Sequence, residues 1–145
     1  MKVRNILATK KGQIITIRPE EPVRRAIAML VENRIGALVV VDDSGKLVGI
    51  LSERDIMRTA AADEHLFGRQ VGDIMTREVI VGMPQDDVIA VAHTMLEKRF
   101  RHLPIMDEGD LIGIISIGDV LKIQRDAYRG EVDTLETRII AEGEE

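Results

Sequence analysis

Apolar positions along the chain fall into two families of spacing, and the same order of spacings occurs twice. Val23, Ala26, Ile27, Leu30 and Val31 stand at i, i+3, i+4, i+7 and i+8, which is one face of a helix. Val88, Val91, Ala92, Met95 and Leu96 repeat that face. Ahead of each helix lies a short β-branched run, Ile14 to Ile17 and Val79 to Val81, which predicts a strand. Behind each come two more apolar runs. Ala37 to Val41 and Leu47 to Leu51 flank Asp42-Asp43-Ser44-Gly45-Lys46, and Leu103 to Met106 and Leu111 to Ile115 flank Asp107-Glu108-Gly109-Asp110, so each pair predicts a hairpin. A second helix is expected to open at Ser52 and again at Ser116. A proline and acidic residues stand near the start of both long helices, and the acids are expected in the first turn, where the helix dipole favours them.

The repeat is explicit residue by residue. Pro19 matches Pro84, Arg34 matches Arg99, Leu38 matches Leu103 and Asp42 matches Asp107. The second hairpin turn is one residue shorter, so the register then shifts: Gly49 pairs with Gly113, Ser52 with Ser116 and Asp55 with Asp119. Upstream, Val3-Arg4-Asn5-Ile6-Leu7 echoes Val71-Gly72-Asp73-Ile74-Met75. The expected architecture is α+β: two tandem β-α-β-β-α units related by a pseudo-twofold axis and packed sheet to sheet. Residues 1–66 form the first unit and 67–126 the second, and Ala60 to Gln70 is read as the crossover. Residues 127–145 make an acidic tail, and beyond Lys122 the residues Ile123, Val132, Leu135 and Ile139 suggest a further amphipathic helix, interrupted near Gly130. A unit of this size buries too little surface to be stable alone, so the two are expected to fold together.

Composition narrows the chemistry. Apolar residues make up 45% of the 145 residues but aromatics only 2%, so the core is aliphatic. There is no cysteine, which removes disulfides, thiolate metal sites and a Cys nucleophile and fits a reducing, cytoplasmic setting. No apolar run approaches the roughly 18 residues of a membrane span, and the first residues lack the apolar region of a signal peptide. The net charge is −5, and neither a basic stripe nor an aromatic platform is present for nucleic acid. The three histidines, His65, His93 and His102, lack ligand spacing, so no metal site is expected. Nor do the serines suggest a catalytic nucleophile.

Chemistry concentrates at the two strand-to-helix junctions, Gly49-Ile50-Leu51-Ser52-Glu53-Arg54-Asp55 and Gly113-Ile114-Ile115-Ser116-Ile117-Gly118-Asp119. A lone Ser-x-x-Asp is a capping box. The same free amides and dipole attract a phosphate, and a carboxylate one turn along can accept hydrogen bonds from ribose hydroxyls.

Duplicated in a strand-helix-strand-strand-helix repeat, this motif resembles tandem cystathionine β-synthase (CBS) domains, the pair called a Bateman module, over residues 1–126. The resemblance implies a non-enzymatic sensor that binds AMP, ADP, ATP, NAD(H) or S-adenosylmethionine between the repeats, AMP-like ligands being favoured, and that needs no cofactor. It implies a homodimer that signals to a regulated protein. The alternative is a ligand-free homodimeric scaffold. By resemblance, one cleft holds Ser116 and Asp119 with Arg101, His102, Pro104, Ile80 and Val81, and the other holds Ser52 and Asp55 with Thr16 and Ile17. Arg54, inside the first motif, could serve either cleft. Arg101 and His102 supply cations where the first repeat has Gly36 and Ala37, so the Ser116–Asp119 cleft is expected to bind more tightly. Arg34 and Arg99 are read as solvated residues or as complements to helix dipoles.

Overall fold

A computed structural model of the chain describes residues 1–10 and 12–127. Of the further helix expected beyond Lys122, Ile123 falls within the last described helix, whereas Val132, Leu135 and Ile139 lie outside the described residues. The order of elements is α1 (Val3–Thr9), β1 (Thr16–Ile17), α2 (Val23–Asn33), β2 (Ala37–Val41), β3 (Leu47–Ser52), α3 (Glu53–Ala60), a 3-10 turn (Leu66–Gly68), α4 (Val71–Ile74), α5 (Val88–Lys98), β4 (His102–Asp107), β5 (Asp110–Ser116) and α6 (Ile117–Ala127).

The first sheet runs β1-β2-β3, with β1 parallel and β3 antiparallel to β2. Among the described residues the second contains only the antiparallel pair β4-β5. The strand expected over Val79–Val81 does not form. Its place beside β4 is taken by the next residue, Gly82, whose N–H donates to Pro104 O at 2.9 Å and whose O accepts from Met106 N at 2.8 Å. A Cβ at Gly82 would lie 2.7 Å from Leu103 Cδ2, so the approach needs a residue with no side chain. Ile80 and Val81 stay largely exposed instead.

All five residues of β2 are buried. Leu38 and Val40 face one aliphatic cluster with Ile17, Ala26, Leu30 and Leu51. Ala37, Val39 and Val41 alternate to the opposite face, so this sheet is covered on both sides, as packing of sheet against sheet requires. In β4, Leu103 and Ile105 join a second cluster with Val88, Val91, Met95, Ile115 and Val120, while Pro104 is buried between them on the other face.

The two clusters do not follow a linear cut at residue 66. Val3 and Ile6 of α1 sit in the cluster of the second repeat, and Val71 and Met75 sit in that of the first. The echoing segments are exchanged. Glycines make the seats: a Cβ at Gly113 would stand 2.6 Å from Leu7 Cδ2, and one at the matched Gly49 would stand 2.5 Å from Met75 Sδ.

The acids expected in the first turns of the long helices lie just before them. Pro22 caps α2 and the first turn has no acid. Asp87 caps α5, accepting from the N–H groups of Ile89 and Ala90 at 3.1 and 3.2 Å, so its charge meets the dipole from the cap. Both helices end on a left-handed arginine, Arg34 (φ 53°) and Arg99 (φ 59°), and these are backbone caps rather than merely solvated side chains.

Candidate functional site

Both motifs form the capping box. Ser52 N donates to Asp55 Oδ2 at 2.9 Å, and Asp55 N returns a bond to Ser52 Oγ at 3.3 Å. Ser116 N and Asp119 Oδ2 are 2.8 Å apart, with Asp119 N to Ser116 Oγ at 3.1 Å. The two carboxylates nonetheless differ in their surroundings. Asp55 is the one buried charged residue among those described, only 3% exposed. Its Oδ2 also accepts the Ser52 hydroxyl at 3.1 Å, and its Oδ1 accepts the Thr76 hydroxyl at 3.1 Å and the Arg58 guanidinium. Four donors saturate it.

Asp119 is more open and has a single cationic partner, Lys10, whose Nζ donates to Oδ2 at 2.9 Å. Burial alone would raise the Asp119 pKa. The Lys10 bond and the Ser116 amide outweigh it, and the carboxyl is held below its ordinary value.

A cavity of about 900 Å³ opens between the repeats. It brings together Ser52, Arg54 and Asp55 of the first motif with Ile80, Arg101 and His102 of the second repeat. Thr16, Ile17, Val81, Pro104, Ser116 and Asp119 do not line it. Ile17 and Pro104 are buried in their sheets, and Val81 lies on the surface. Arg101 and His102 line this cavity over the first motif and also stay beside the second: His102 pairs with Ser116 in the β4-β5 ladder, and Arg101 O accepts the Ile117 amide at 2.9 Å. The cause is the close approach of the two repeats at Gly36. A Cβ there would lie 2.6 Å from Glu53 Oε1 and 3.1 Å from the His102 ring, so the absence of a side chain in one repeat makes room for the cationic strand start of the other.

Arg54 Nη1 reaches over to the main-chain oxygen of Arg99 at 3.0 Å. Five basic side chains, Arg54, Arg58, Lys98, Arg99 and Arg101, face the cavity against three acids, Glu53, Asp55 and Glu78. On a chain of net charge −5 this is a local positive excess. His102 adds no charge by default: burial pushes its pKa down, more than the neighbouring Glu53 and Asp119 push it up. Ile50, Val79 and Ile80 supply an apolar wall. Thr76, Glu78 and Lys98 were not singled out from sequence, and only Arg58, at i+3 from Asp55 on a helix, carried a local signal. Among the described residues no group of three or more His, Asp or Glu could hold a metal, and no helix is long and apolar enough to cross a membrane.

The CBS domain family model matches residues 3–62 and 71–126. Relatives include protein MJ1225 of Methanocaldococcus jannaschii, 34% identical over 110 residues, and the CBS domain-containing protein YhcV of Bacillus subtilis, 30% identical over 112 residues. The alignments take in 76% and 77% of this chain, 39% of the length of MJ1225 and 79% of YhcV. Among solved structures, CBSX2 in complex with AMP has a TM-score of 0.73 at 30% identity, covering 88% of this chain and 98% of that one. The CBS domain pair of MJ0100, in complex with 5′-methylthioadenosine and S-adenosylmethionine, has a TM-score of 0.78 at 27% identity with the same coverage. With two matched repeats, two capped Ser-x-x-Asp junctions and this fold, the chain belongs to the CBS domain family as a tandem pair.

Proposed function

We propose that the cavity over Ser52 and Asp55 takes an adenine nucleotide, AMP in the first instance, and that the chain is a non-enzymatic cytoplasmic sensor whose bound state is read by a partner protein. One observation carries this reading: the helix-opening motif of one repeat and the basic strand start of the other face the same cavity, with an excess of positive charge. Phosphate meets Arg54, Arg99 and Arg101, where charge-assisted bonds are about twice as strong as neutral ones. The purine lies against Ile50, Val79 and Ile80. The ribose hydroxyls take the place of the exposed Arg58 on Asp55 Oδ1, and Arg58 turns towards the phosphate. Both motif hydroxyls are engaged in helix caps rather than set against a base, which favours binding over turnover. AMP and S-adenosylmethionine bound to the related structures support an adenosine ligand. Signalling requires the ligand to bind two arrangements of the repeats with different affinity.

The ligand-free scaffold reading is favoured by a different observation, that the protein's own donors already satisfy Asp55. Thermal melts with AMP, ADP, ATP, NAD(H) and S-adenosylmethionine separate the two. Ligand at 100 times its Kd stabilises by about 2.7 kcal/mol, a rise of several degrees in a chain of this size. Arg54→Ala with Arg101→Ala should remove that rise. A rise unchanged in the double variant refutes the assignment, and no rise with any of the five ligands leaves the scaffold.

A homodimer fits the outer faces. Val31 and Met57 are exposed, and so are their repeat mates Leu96 and Leu121. An apolar patch duplicated by the internal twofold is self-complementary for a second copy.

A further inference from the structure

Lys10 occupies the polar groups of the second motif. Its Nζ donates to Asp119 Oδ2 at 2.9 Å and to the main-chain oxygen of Ile114 at 2.7 Å. Ile114 is the repeat mate of Ile50, and Asp119 that of Asp55. In the first repeat the same two acceptors are met differently: Ile50 O accepts the Thr76 amide at 2.9 Å, and Asp55 Oδ1 accepts the Thr76 hydroxyl at 3.1 Å. One ammonium thus does at the second motif what a backbone amide and a short hydroxyl do at the first. It brings a full positive charge and a four-carbon stem with it.

The seat of this lysine is fixed. Its backbone leaves α1 in an extended conformation, with its N–H on Leu7 O at 3.2 Å. Leu7 in turn occupies the space that Gly113 leaves open on β5. The helix is therefore pinned where the side chain reaches the end of the strand, and the ordering cost of the ion pair is lowered in advance. Counting from the echoing segments, the position matched to Lys10 is Glu78, which cannot ion-pair with Asp55 and lines the open cavity.

We propose that Lys10 decides between the two motifs: it is the built-in occupant of the Ser116–Asp119 junction, leaving the Ser52–Asp55 cavity as the open nucleotide site of the two. This rests on the reading above of what the open cavity takes, but its test separates the two. AMP is titrated calorimetrically into the full chain, into Lys10→Met, and into Lys10→Met combined with Asp119→Asn. The expected stoichiometry is one AMP in the wild type, two in Lys10→Met and one again in the double variant, while Lys10→Arg stays at one. A stoichiometry that does not rise by one in Lys10→Met overturns the proposal, and so does a fall, which makes Lys10 a phosphate ligand. No AMP on the wild type but one, dependent on Asp119, on Lys10→Met refutes the first cavity and keeps the role of Lys10. Circular dichroism checks the fold, and Lys10→Gln carries the same test if Lys10→Met does not fold.

Discussion

Arg54 Nη1 and the main-chain oxygen of Arg99 lie 3.0 Å apart, tying the motif of one repeat to the left-handed end of α5 in the other. The bond uses the Arg99 backbone, so the Arg99 side chain is free to be changed. Glycine relieves the left-handed strain, worth about 1–2 kcal/mol for a non-glycine residue, but loosens the unfolded chain by about 0.5–1 kcal/mol. Arg99→Gly and its repeat mate Arg34→Gly should therefore each leave stability unchanged or raise it by about 1 kcal/mol. Only Arg99 lines the cavity. Arg99→Gly should weaken AMP several-fold, while Arg34→Gly leaves binding intact. Denaturant melts and calorimetry on the pair check both statements.

Asp55 and Asp119 occupy matched positions but should not tolerate the same change equally. An Asn at 55 turns an amide NH₂ towards a cluster made of donors: the Ser52 amide and hydroxyl, the Thr76 hydroxyl and Arg58. Hydrogen bonds to charged groups contribute about 1.5–3 kcal/mol each when buried, so Asp55→Asn should cost about 2–4 kcal/mol. Asp119→Asn retains an acceptor for the Ser116 amide and loses a partly exposed ion pair with Lys10, worth about 0–1 kcal/mol. Urea denaturation should rank Asp55→Asn well below Asp119→Asn. Equal losses would mean that the Asp55 cluster is not formed.

Gly49 tests the exchange of segments between repeats. An alanine methyl there meets Met75 Sδ at 2.5 Å, which can move, and Thr76 O at 3.0 Å, which is backbone paired with Ile50. Overpacking of this kind costs about 1–3 kcal/mol. Gly49→Ala should lower the Tm by several degrees, and shortening the opposing residue, Met75→Ala, should not restore it, because the backbone contact remains. Gly45→Ala is the control: nothing lies within 4 Å, and only its φ of 81° opposes the methyl.

Those exchanged segments also mark where the sequence stopped being legible. The offset between repeats located α2, α5, both hairpins and both serine caps, because each depends on local periodicity and turn chemistry. Val3–Leu7 and Val71–Met75 were seen to echo one another, but two segments with the same apolar pattern fit the same kind of groove, and nothing local chooses between grooves. Val79–Val81 reads as a strand on β-branched content alone, yet Gly82 holds the edge position because only it can approach Leu103 so closely. Both Ser-x-x-Asp junctions are legible as helix caps, whereas nothing local shows that Arg101 and His102, beside the second junction, also face the cavity over the first. Arg101 precedes β4 and His102 opens it, and their approach to the first motif is set by the packing of the repeats at Gly36, a contact between Gly36 and His102, 66 apart in the sequence.

His102 gives the cavity a pH dependence whose sign follows from its burial. Its folded-state pKa lies below the 6.5 of a free histidine, chiefly because desolvation disfavours the imidazolium, with Lys10 and Arg101 adding to that and Glu53 and Asp119 opposing it. A depressed pKa means that the contribution to stability is fully present above 6.5 and is lost as pH falls through the folded value. Asp119, also depressed, acts in the same direction but only as pH falls below its ordinary 3.8. Melting temperature should therefore decline in two separate windows, and His102→Gln should flatten the one beginning near pH 6.5 while leaving the acidic one in place. A phosphate in the cavity reverses the local balance, because a nearby anion favours the charged imidazole. Because the phosphate of AMP also exchanges protons on binding, the readout is a difference: below pH 6.5, AMP binding should take up more protons in the wild type than in His102→Gln, visible in how the heat varies with the ionisation enthalpy of the buffer. Equal proton uptake by the two would place the phosphate away from His102.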